Sequence, residues 1–137
     1  MPLDPALAGR AFAPTAPYTV GREKLAEFRE SIGAAATDDD ETAPLTFPIV
    51  VAFRAMTQLM TDPDVGIELR NIVHRDQRFE QVRPIRAGDE LVATLTVETL
   101  RAAAGMDVLG TRTEIATIGG EPVATAFATL VHRGPGT

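Results

Sequence analysis

The strongest constraint on the fold is a short stretch at residues 46–60, TFPIVVAFRAMTQLM, which is apolar on nearly every side if it is helical. Thr46 is placed to serve as the N-cap of that helix. After it, only Arg54, Thr57 and Gln58 are strongly polar. Such a helix has to be covered on most sides, and this one is too short to span a membrane. We therefore expect the rest of the chain, or a second subunit, to wrap around it.

The sequence before this helix predicts smaller elements. Residues 1–17 contain four prolines and predict an extended lead-in, followed by a short strand at Tyr18–Val20. In residues 21–33, GREKLAEFRESIG, apolar side chains recur every three or four positions, and Gly33 is placed to end a helix. Residues 34–43, AAATDDDETA, have no usable period, and we expect a mobile loop there.

Four strand-like segments follow the central helix: Ile67–Val82, Glu90–Leu100, Met106–Ile118 and Val123–His132. The second alternates between apolar and polar residues, and Gly119–Gly120 is a strong hairpin signal between the last two. Residues 83–89, RPIRAGD, predict a turn. Ala124, Ala126 and Ala128 give the last strand a small-sided face that a helix can approach closely. Long strands with short connections predict an antiparallel meander.

These elements together predict an α+β chain with a curved antiparallel sheet wrapped around a central apolar helix, which is the hot-dog fold. We expect a single domain over residues 1–137, because the sequence shows neither an internal repeat nor a second domain. The free edge of the sheet and the incomplete cover of the helix both predict a dimer.

Composition excludes several kinds of site. The chain has no cysteine, so disulfides, thiolate metal ligands and a cysteine nucleophile are excluded. His74 and His132 are the only histidines, which leaves zinc few suitable ligands. We therefore expect no metal and no other cofactor. His132 lies beside the C-terminal tail and is interpreted as structural or exposed.

Charge and the N-terminus bear on partners and location. The net charge of −6 argues against general nucleic-acid binding. No apolar run approaches the roughly 20 residues that a membrane span needs, and residues 1–10 lack the features of a signal peptide. We expect a cytoplasmic protein that binds neither nucleic acid nor membrane.

The sequence also contains two local groups of charged residues. The acidic run is residues 38–41, DDDE, which have no partner ligands for a metal. Five arginines lie close together in the sequence: Arg70, Arg75, Arg78, Arg83 and Arg86. Both runs are interpreted most simply as solvated surface. The alternative for the arginines is a rim for phosphate or carboxylate groups, which guanidinium forks bind well.

Four segments carry a family resemblance: GREKLAEFRESIG, APLTFPI, IVHRDQRFEQVRPIRAGDEL and ATAFATLV. In this order they resemble the MaoC-like dehydratase N-terminal family. More closely, they resemble the substrate-binding subunits of actinobacterial (R)-specific 3-hydroxyacyl-thioester dehydratases. The resemblance extends from about Ala8 to Arg133, and the run RPIRAGD at residues 83–89 belongs to its most specific part. It implies the hot-dog fold already predicted from the residues.

This sequence departs from the catalytic members of that group. Those members carry a Gly-Asp-x-Asn-Pro-x-His stretch before the central helix, and its Asp and His act as base and proton donor when water adds to an enoyl double bond. Here Gly33 is followed by AAATDD at residues 34–39, with alanine at the Asp position, and no histidine occurs before His74. We expect no hydratase activity from this chain by itself.

The resemblance therefore implies the non-catalytic half of a two-subunit hydratase/dehydratase. A MaoC-like subunit supplies the Asp and His, and the substrate is an acyl-CoA or acyl carrier protein thioester. Two alternatives stay open: a non-enzymatic homodimer that binds an acyl or other ligand, and an acyl-CoA thioesterase that uses Glu41 to activate water. The acyl chain length and the carrier are not readable from the residues.

The candidate substrate-binding residues are Thr46, Phe47, Met56, His74 and Asp76, and no residue is predicted to be catalytic. Backbone N–H groups at the helix start, near Thr46 and Phe47, are expected to face a thioester oxygen. Met56 is expected to line an acyl channel, with a plain core role as the alternative. Strand alternation places His74 and Asp76 on one face, where a surface or interface pair is a simpler interpretation than proton chemistry.

Overall fold

The computed structural model describes residues 3–34 and 39–133. It contains two α-helices and five strands, and short 3-10 helices lie at Pro5–Leu7 and Leu69–Asn71. In chain order the elements are β1 (Tyr18–Thr19), α1 (Arg22–Ser31), α2 (Pro48–Thr61), β2 (Ile72–Gln81), β3 (Glu90–Ala103), β4 (Met106–Thr117) and β5 (Pro122–Arg133). Each predicted helix and strand is present, although the predicted strand at 67–82 starts only at Ile72.

The five strands form one antiparallel sheet in the order β1-β3-β4-β5-β2. Strands β3 and β4 are joined by the two-residue turn Ala104–Gly105, in which both residues have positive φ. This type of turn matches the twist of an antiparallel ribbon. The predicted meander is therefore confirmed, and β2 lies at an edge with only β5 beside it among the described strands.

The apolar core lies between α2 and the inner face of the sheet. Alternate residues of β3 are fully buried on this face, as the sequence pattern predicts. Ala124, Ala126 and Ala128 of β5 are also buried, and α2 packs over β3, β4 and β5. Small side chains on β5 therefore face the side of the sheet that the helix covers, as predicted.

The start of α2 differs from the prediction. The helix begins at Pro48, Phe47 already has helical backbone angles, and no side chain caps the helix, so the prediction of Thr46 as N-cap is wrong. Residues 44–47 form a turn instead, in which the Phe47 N–H donates to Pro44 O at 3.0 Å. The Thr46 carbonyl, rather than its hydroxyl, accepts the Ile49 N–H at 3.2 Å. Backbone carbonyls of this turn, rather than a capping side chain, therefore accept the first N–H groups of the helix.

The cover of α2 is incomplete. Val51, Ala52, Ala55, Met56 and Leu59 are buried, whereas Phe53 is 47% exposed and Arg54 and Thr57 are also exposed. One flank of the helix is thus open to solvent. No helix in the described part of the chain is long and apolar enough to cross a membrane.

The N-terminal segment runs alongside β3. Backbone N–H groups of Gly9, Phe12 and Thr15 donate to carbonyls of β3 at 2.6–2.9 Å. Leu3, Leu7 and Phe12 are buried in the core. The predicted lead-in is therefore an edge cover for the sheet. Of the loop predicted at 34–43, residues 35–38 lie outside the described part of the chain.

Candidate functional site

The predicted site centres on the start of α2, which lies close to the end of β2. The Gln81 side-chain amide donates to the Leu45 carbonyl at 3.3 Å. Phe47 is fully buried, and its ring packs edge-on against Phe28 with centroids 5.3 Å apart. Phe47 is therefore a core residue, while Thr46 is exposed beside it.

The backbone N–H groups at this helix start are partly engaged. Those of Ile49 and Val50 donate to Thr46 O and Phe47 O at 3.2 and 2.9 Å. Backbone donors stabilise an oxyanion only when they point at it unpaired. A thioester oxygen at this helix start would have to compete with those two turn bonds.

Met56 lies in the middle of the core. It is 1% exposed, with Ala52 and Leu59 of the same helix also buried. The structure thus places Met56 in the plain core role, and lining a channel would require the neighbouring side chains to move apart.

The predicted His74–Asp76 pair does not form on one face. A β-bulge at Arg75 shifts the register, so that His74 pairs with the buried Leu130 and Asp76 pairs with Thr129 on the outer face. Because cross-strand partners share a face, His74 points to the helix side and Asp76 away from it. The prediction that alternation puts them together is wrong. His74 instead contacts Gln77, with 2.9 Å between its Nε2 and Gln77 Oε1.

Three of the five neighbouring arginines make separate contacts. Arg78 pairs with Glu80 and lies over the Phe127 ring at 4.0 Å, and Arg70 pairs with Glu68 at 3.3 Å. Arg83 binds Asp89 through two hydrogen bonds of 2.9 and 3.2 Å inside the predicted 83–89 turn. These contacts do not bring the arginines together into one anion rim.

The Arg83–Asp89 pair fixes the turn before β3. Burial raises the pKa of Asp89, but hydrogen bonds from the Arg83 guanidinium and the Arg86 N–H outweigh it and leave that pKa below its ordinary value. Arg83 also pairs with Glu121 at 3.3 Å, which connects this turn to the β4–β5 hairpin. The most specific motif of the sequence is therefore structural.

Sequence reasoning missed a buried polar cluster around His132. This side chain is fully buried, and its Nε2 accepts the Glu68 N–H at 3.0 Å, while its Nδ1 has no partner among the described residues. Its cross-strand neighbour Asp107 accepts the Leu3 N–H at 3.0 Å. Burial lowers the pKa of His132, and the charges of Asp107 and Glu68 oppose that shift only in part. The position of His132 next to the C-terminal tail gave no indication in the sequence that its side chain would be buried.

No histidine lies near the start of α2 within residues 3–34 and 39–133, and no group of three or more metal-ligating side chains occurs there. Glu41, the predicted base of a thioesterase, is exposed and pairs with Arg22. In the part of the chain that the structure describes, an apolar helix lies beside an open strand, and no acid–base pair lies near the start of that helix.

Comparison with known proteins agrees with this architecture. Residues 6–126 match the family model described as the FAS1-like dehydratase domain region. The chain belongs to this family. A UPF0336 protein of Streptomyces coelicolor is 43% identical over 145 residues, with 97% of each chain covered. A UPF0336 protein of Saccharopolyspora erythraea is 42% identical, covering 98% of this chain and 94% of the relative.

Solved structures show the same fold. A chain of the truncated HadBC complex of Mycobacterium tuberculosis, a (3R)-hydroxyacyl-ACP dehydratase, has a TM-score of 0.80 and 28% identity. The match covers 91% of this chain and 96% of that one. A MaoC-like dehydratase has a TM-score of 0.79 and 28% identity, over 95% of this chain and 43% of that chain. The protein therefore has the hot-dog fold of the MaoC-like dehydratases, as the sequence predicted.

Proposed function

We propose that this protein is the non-catalytic, substrate-binding subunit of an (R)-specific enoyl-thioester hydratase, or 3-hydroxyacyl-thioester dehydratase. The observation that supports this most is a dehydratase fold in which the described residues place no acid–base pair at the start of the central helix. His74 lies on β2, and His132 is fully buried. Neither position suits a base that must reach a water molecule on a substrate.

The partner in this proposal is a MaoC-like subunit that supplies Asp and His. One group takes a proton from water and the other protonates the α-carbon, so that water adds across the double bond. This chain contributes apolar surface for the acyl group. The open flank of α2, with Phe53 at its centre, is the surface best placed for that role.

The open flank of α2 and the open edge of β2 also support a two-subunit assembly. The edge of β2 that faces away from β5 is paired with no described strand, so this ten-residue strand offers backbone N–H and C=O groups to a neighbour. Val73 and Val82 at its two ends are 62% and 71% exposed. Pairing through this edge would cover both valines and extend the sheet across two subunits.

The test combines the purified chain with a MaoC-like subunit that carries the Gly-Asp-x-Asn-Pro-x-His stretch. We expect the two to co-purify, and the mixture to hydrate crotonyl thioesters faster than either protein alone. Phe53→Asp should reduce that gain about tenfold or more, because it places a charge on apolar contact surface. Ile118→Asp is the matched control, since Ile118 is 58% exposed in the β4–β5 hairpin. A mixture no more active than the catalytic subunit alone would reject the proposal.

One observation favours the alternative of a non-enzymatic homodimer that binds an acyl or other ligand. If two copies of β2 pair antiparallel about Gln77, Asp76 of each copy lies opposite Arg78 of the other. Opposite charges at facing positions stabilise such a pair. A homodimer with no effect on the rate of any MaoC-like subunit would establish this alternative.

A further inference from the structure

One flank of α2 is directed toward the open strand β2. On the other flank, Arg54 lies over the Tyr18 ring of β1 at 4.6 Å. Because β1 and β2 lie at opposite ends of the sheet, the flank away from Arg54 is the one on the β2 side. Helical spacing places Ile49, Phe53 and Met60 on that flank, and all three are at least partly exposed. The helix thus presents an apolar stripe on the side of β2.

The inner face of β2 lies opposite this stripe. Register places Phe79, Gln77 and His74 on the inner face, because their cross-strand partners on β5 are buried on the side of the sheet that α2 covers. Phe79 and Gln77 are half-buried, and His74 is exposed. The hydrogen bond from the Gln81 side chain to the Leu45 carbonyl holds the end of β2 at the start of the helix. We call the space between the apolar stripe and this inner face the flank groove.

The lining of the flank groove changes along its length. Near the helix start it is apolar, with Ile49 and Phe53 from α2 and Phe79 from β2. Farther along β2 the lining is polar, because His74 Nε2 lies 2.9 Å from Gln77 Oε1. Both side chains stay partly exposed, so water reaches their remaining polar atoms. An apolar chain laid over this pair would remove that water without replacing its hydrogen bonds, which is unfavourable.

The space beneath the helix is already filled. Phe47, Met56 and Leu59 are fully buried there, and the alanines of β5 let α2 lie close to the sheet. A close-packed interior of this kind admits an acyl chain only if its side chains move apart. An acyl chain held at the helix start therefore runs beside α2, in the flank groove, and meets the His74–Gln77 pair.

We propose that the His74–Gln77 pair limits the length of the acyl group, so that the two-subunit enzyme acts on short- and medium-chain thioesters. This inference rests on the function proposed above. Gln77 lies four residues from Gln81 along the strand, a distance of about 13 Å. An extended acyl chain advances about 1.3 Å per carbon, given a C–C bond of about 1.5 Å. A chain that starts at the beginning of α2 thus reaches the pair after about ten carbons.

The experiment compares crotonyl-CoA, trans-2-octenoyl-CoA and trans-2-hexadecenoyl-CoA in the mixture of both subunits. For the wild type, we expect similar kcat/KM values for the two shorter substrates and a value at least about tenfold lower for hexadecenoyl-CoA. The double variant His74→Leu/Gln77→Leu should raise kcat/KM for hexadecenoyl-CoA at least about fivefold and change that for crotonyl-CoA less than about twofold. The matched control is Thr94→Leu/Thr96→Leu, which adds two leucines at half-buried positions on the outer face of β3. It should leave all three substrates unaffected.

A second measurement separates this inference from the proposed function. Isothermal titration calorimetry of the chain alone should show hexadecanoyl-CoA binding less than about threefold more tightly than octanoyl-CoA to the wild type, and at least about tenfold more tightly to the double variant. Equal turnover of hexadecenoyl-CoA and crotonyl-CoA by the wild type, no gain in the double variant, or an equal gain in the control would overturn the length limit. If the mixture turns over no substrate, the proposed function fails and the calorimetry alone decides. The same preference for the longer ligand in the wild type and the double variant would then reject the length limit as well.

Discussion

The chain covers one edge of its sheet and leaves the other edge open. At the β3 edge, the N-terminal segment donates hydrogen bonds along the strand and β1 pairs with its beginning. The Thr15 hydroxyl accepts the Ala93 N–H at 3.0 Å, which adds a side-chain bond to that cover. At the β2 edge, no described strand pairs with the side of β2 that faces away from β5.

This contrast between the covered and the open edge indicates a different role for each. Leu3, Leu7 and Phe12 extend the core under the covered edge, so this cover is part of the folding unit. An uncovered edge of ten residues is an aggregation hazard unless a specific neighbour occupies it. The alternation of Asp76, Arg78 and Glu80 on the outer face of β2 restricts which neighbours can pair there.

The largest expected effect comes from removing the cover. Deleting residues 1–17 strips three buried apolar side chains from the core, each worth about 1.5–3 kcal/mol. We expect a chain that is unfolded or aggregated at room temperature, as judged by circular dichroism and size-exclusion chromatography. Val73→Ser at the open edge is the control and should change the unfolding free energy by less than about 0.5 kcal/mol. A stable, monomeric truncated chain would contradict the distinction between the two edges.

The next effect concerns the charges of the open edge. Asp76→Arg should leave the fold intact, because Asp76 is exposed, but weaken edge pairing about tenfold, as measured by analytical ultracentrifugation. In the homodimer alternative, combining it with Arg78→Asp should restore the pairing, since the reversed charges again face each other. If the double variant remains dissociated, the two strands do not pair about Gln77.

The smallest effect is the pH dependence of the buried cluster around His132, in which Asp107 accepts a hydrogen bond from the N-terminal cover. Because burial lowers the pKa of His132 in the folded state, the unfolded chain binds more protons as pH falls below about 6.5. The His132 contribution to stability is therefore fully present above that pH and declines as pH falls toward the folded pKa. Urea unfolding at pH 7.5 and 5.5 should show a smaller pH-dependent loss for His132→Gln than for the wild type. His74→Gln is the control, since His74 is exposed, and an unchanged loss in His132→Gln would assign the effect to other groups.

Regular periodicity made much of the fold predictable. The alternation in β3 and the three alanines of β5 predicted buried faces that the structure confirms. The absence of the Asp–His stretch could also be recognised from the sequence, because a local motif can be identified without knowing the tertiary structure. The cover of the β3 edge could not be predicted, because Gly9, Phe12 and Thr15 bond to a strand that lies about 80 positions later in the chain.

The errors share a physical origin in local backbone irregularities. The turn at 44–47 moved the helix start past Thr46, and the bulge at Arg75 moved His74 off the face of Asp76. Neither change alters the local composition, so period and propensity could not reveal it. The burial of His132 depends on Glu68 and Asp107, which only the assembled strands bring near it.

The bulge at Arg75 also determines which mutations β2 can tolerate. Because it reverses the facing of the residues before it, deleting Arg75 would turn His74 outward and Val73 inward. Val73 would then leave the outer face of the sheet, where it pairs with Val131. Substitutions along this exposed strand should thus be tolerated far better than the insertion or deletion of one residue. Exposed segments usually tolerate such changes of length, whereas this strand should not.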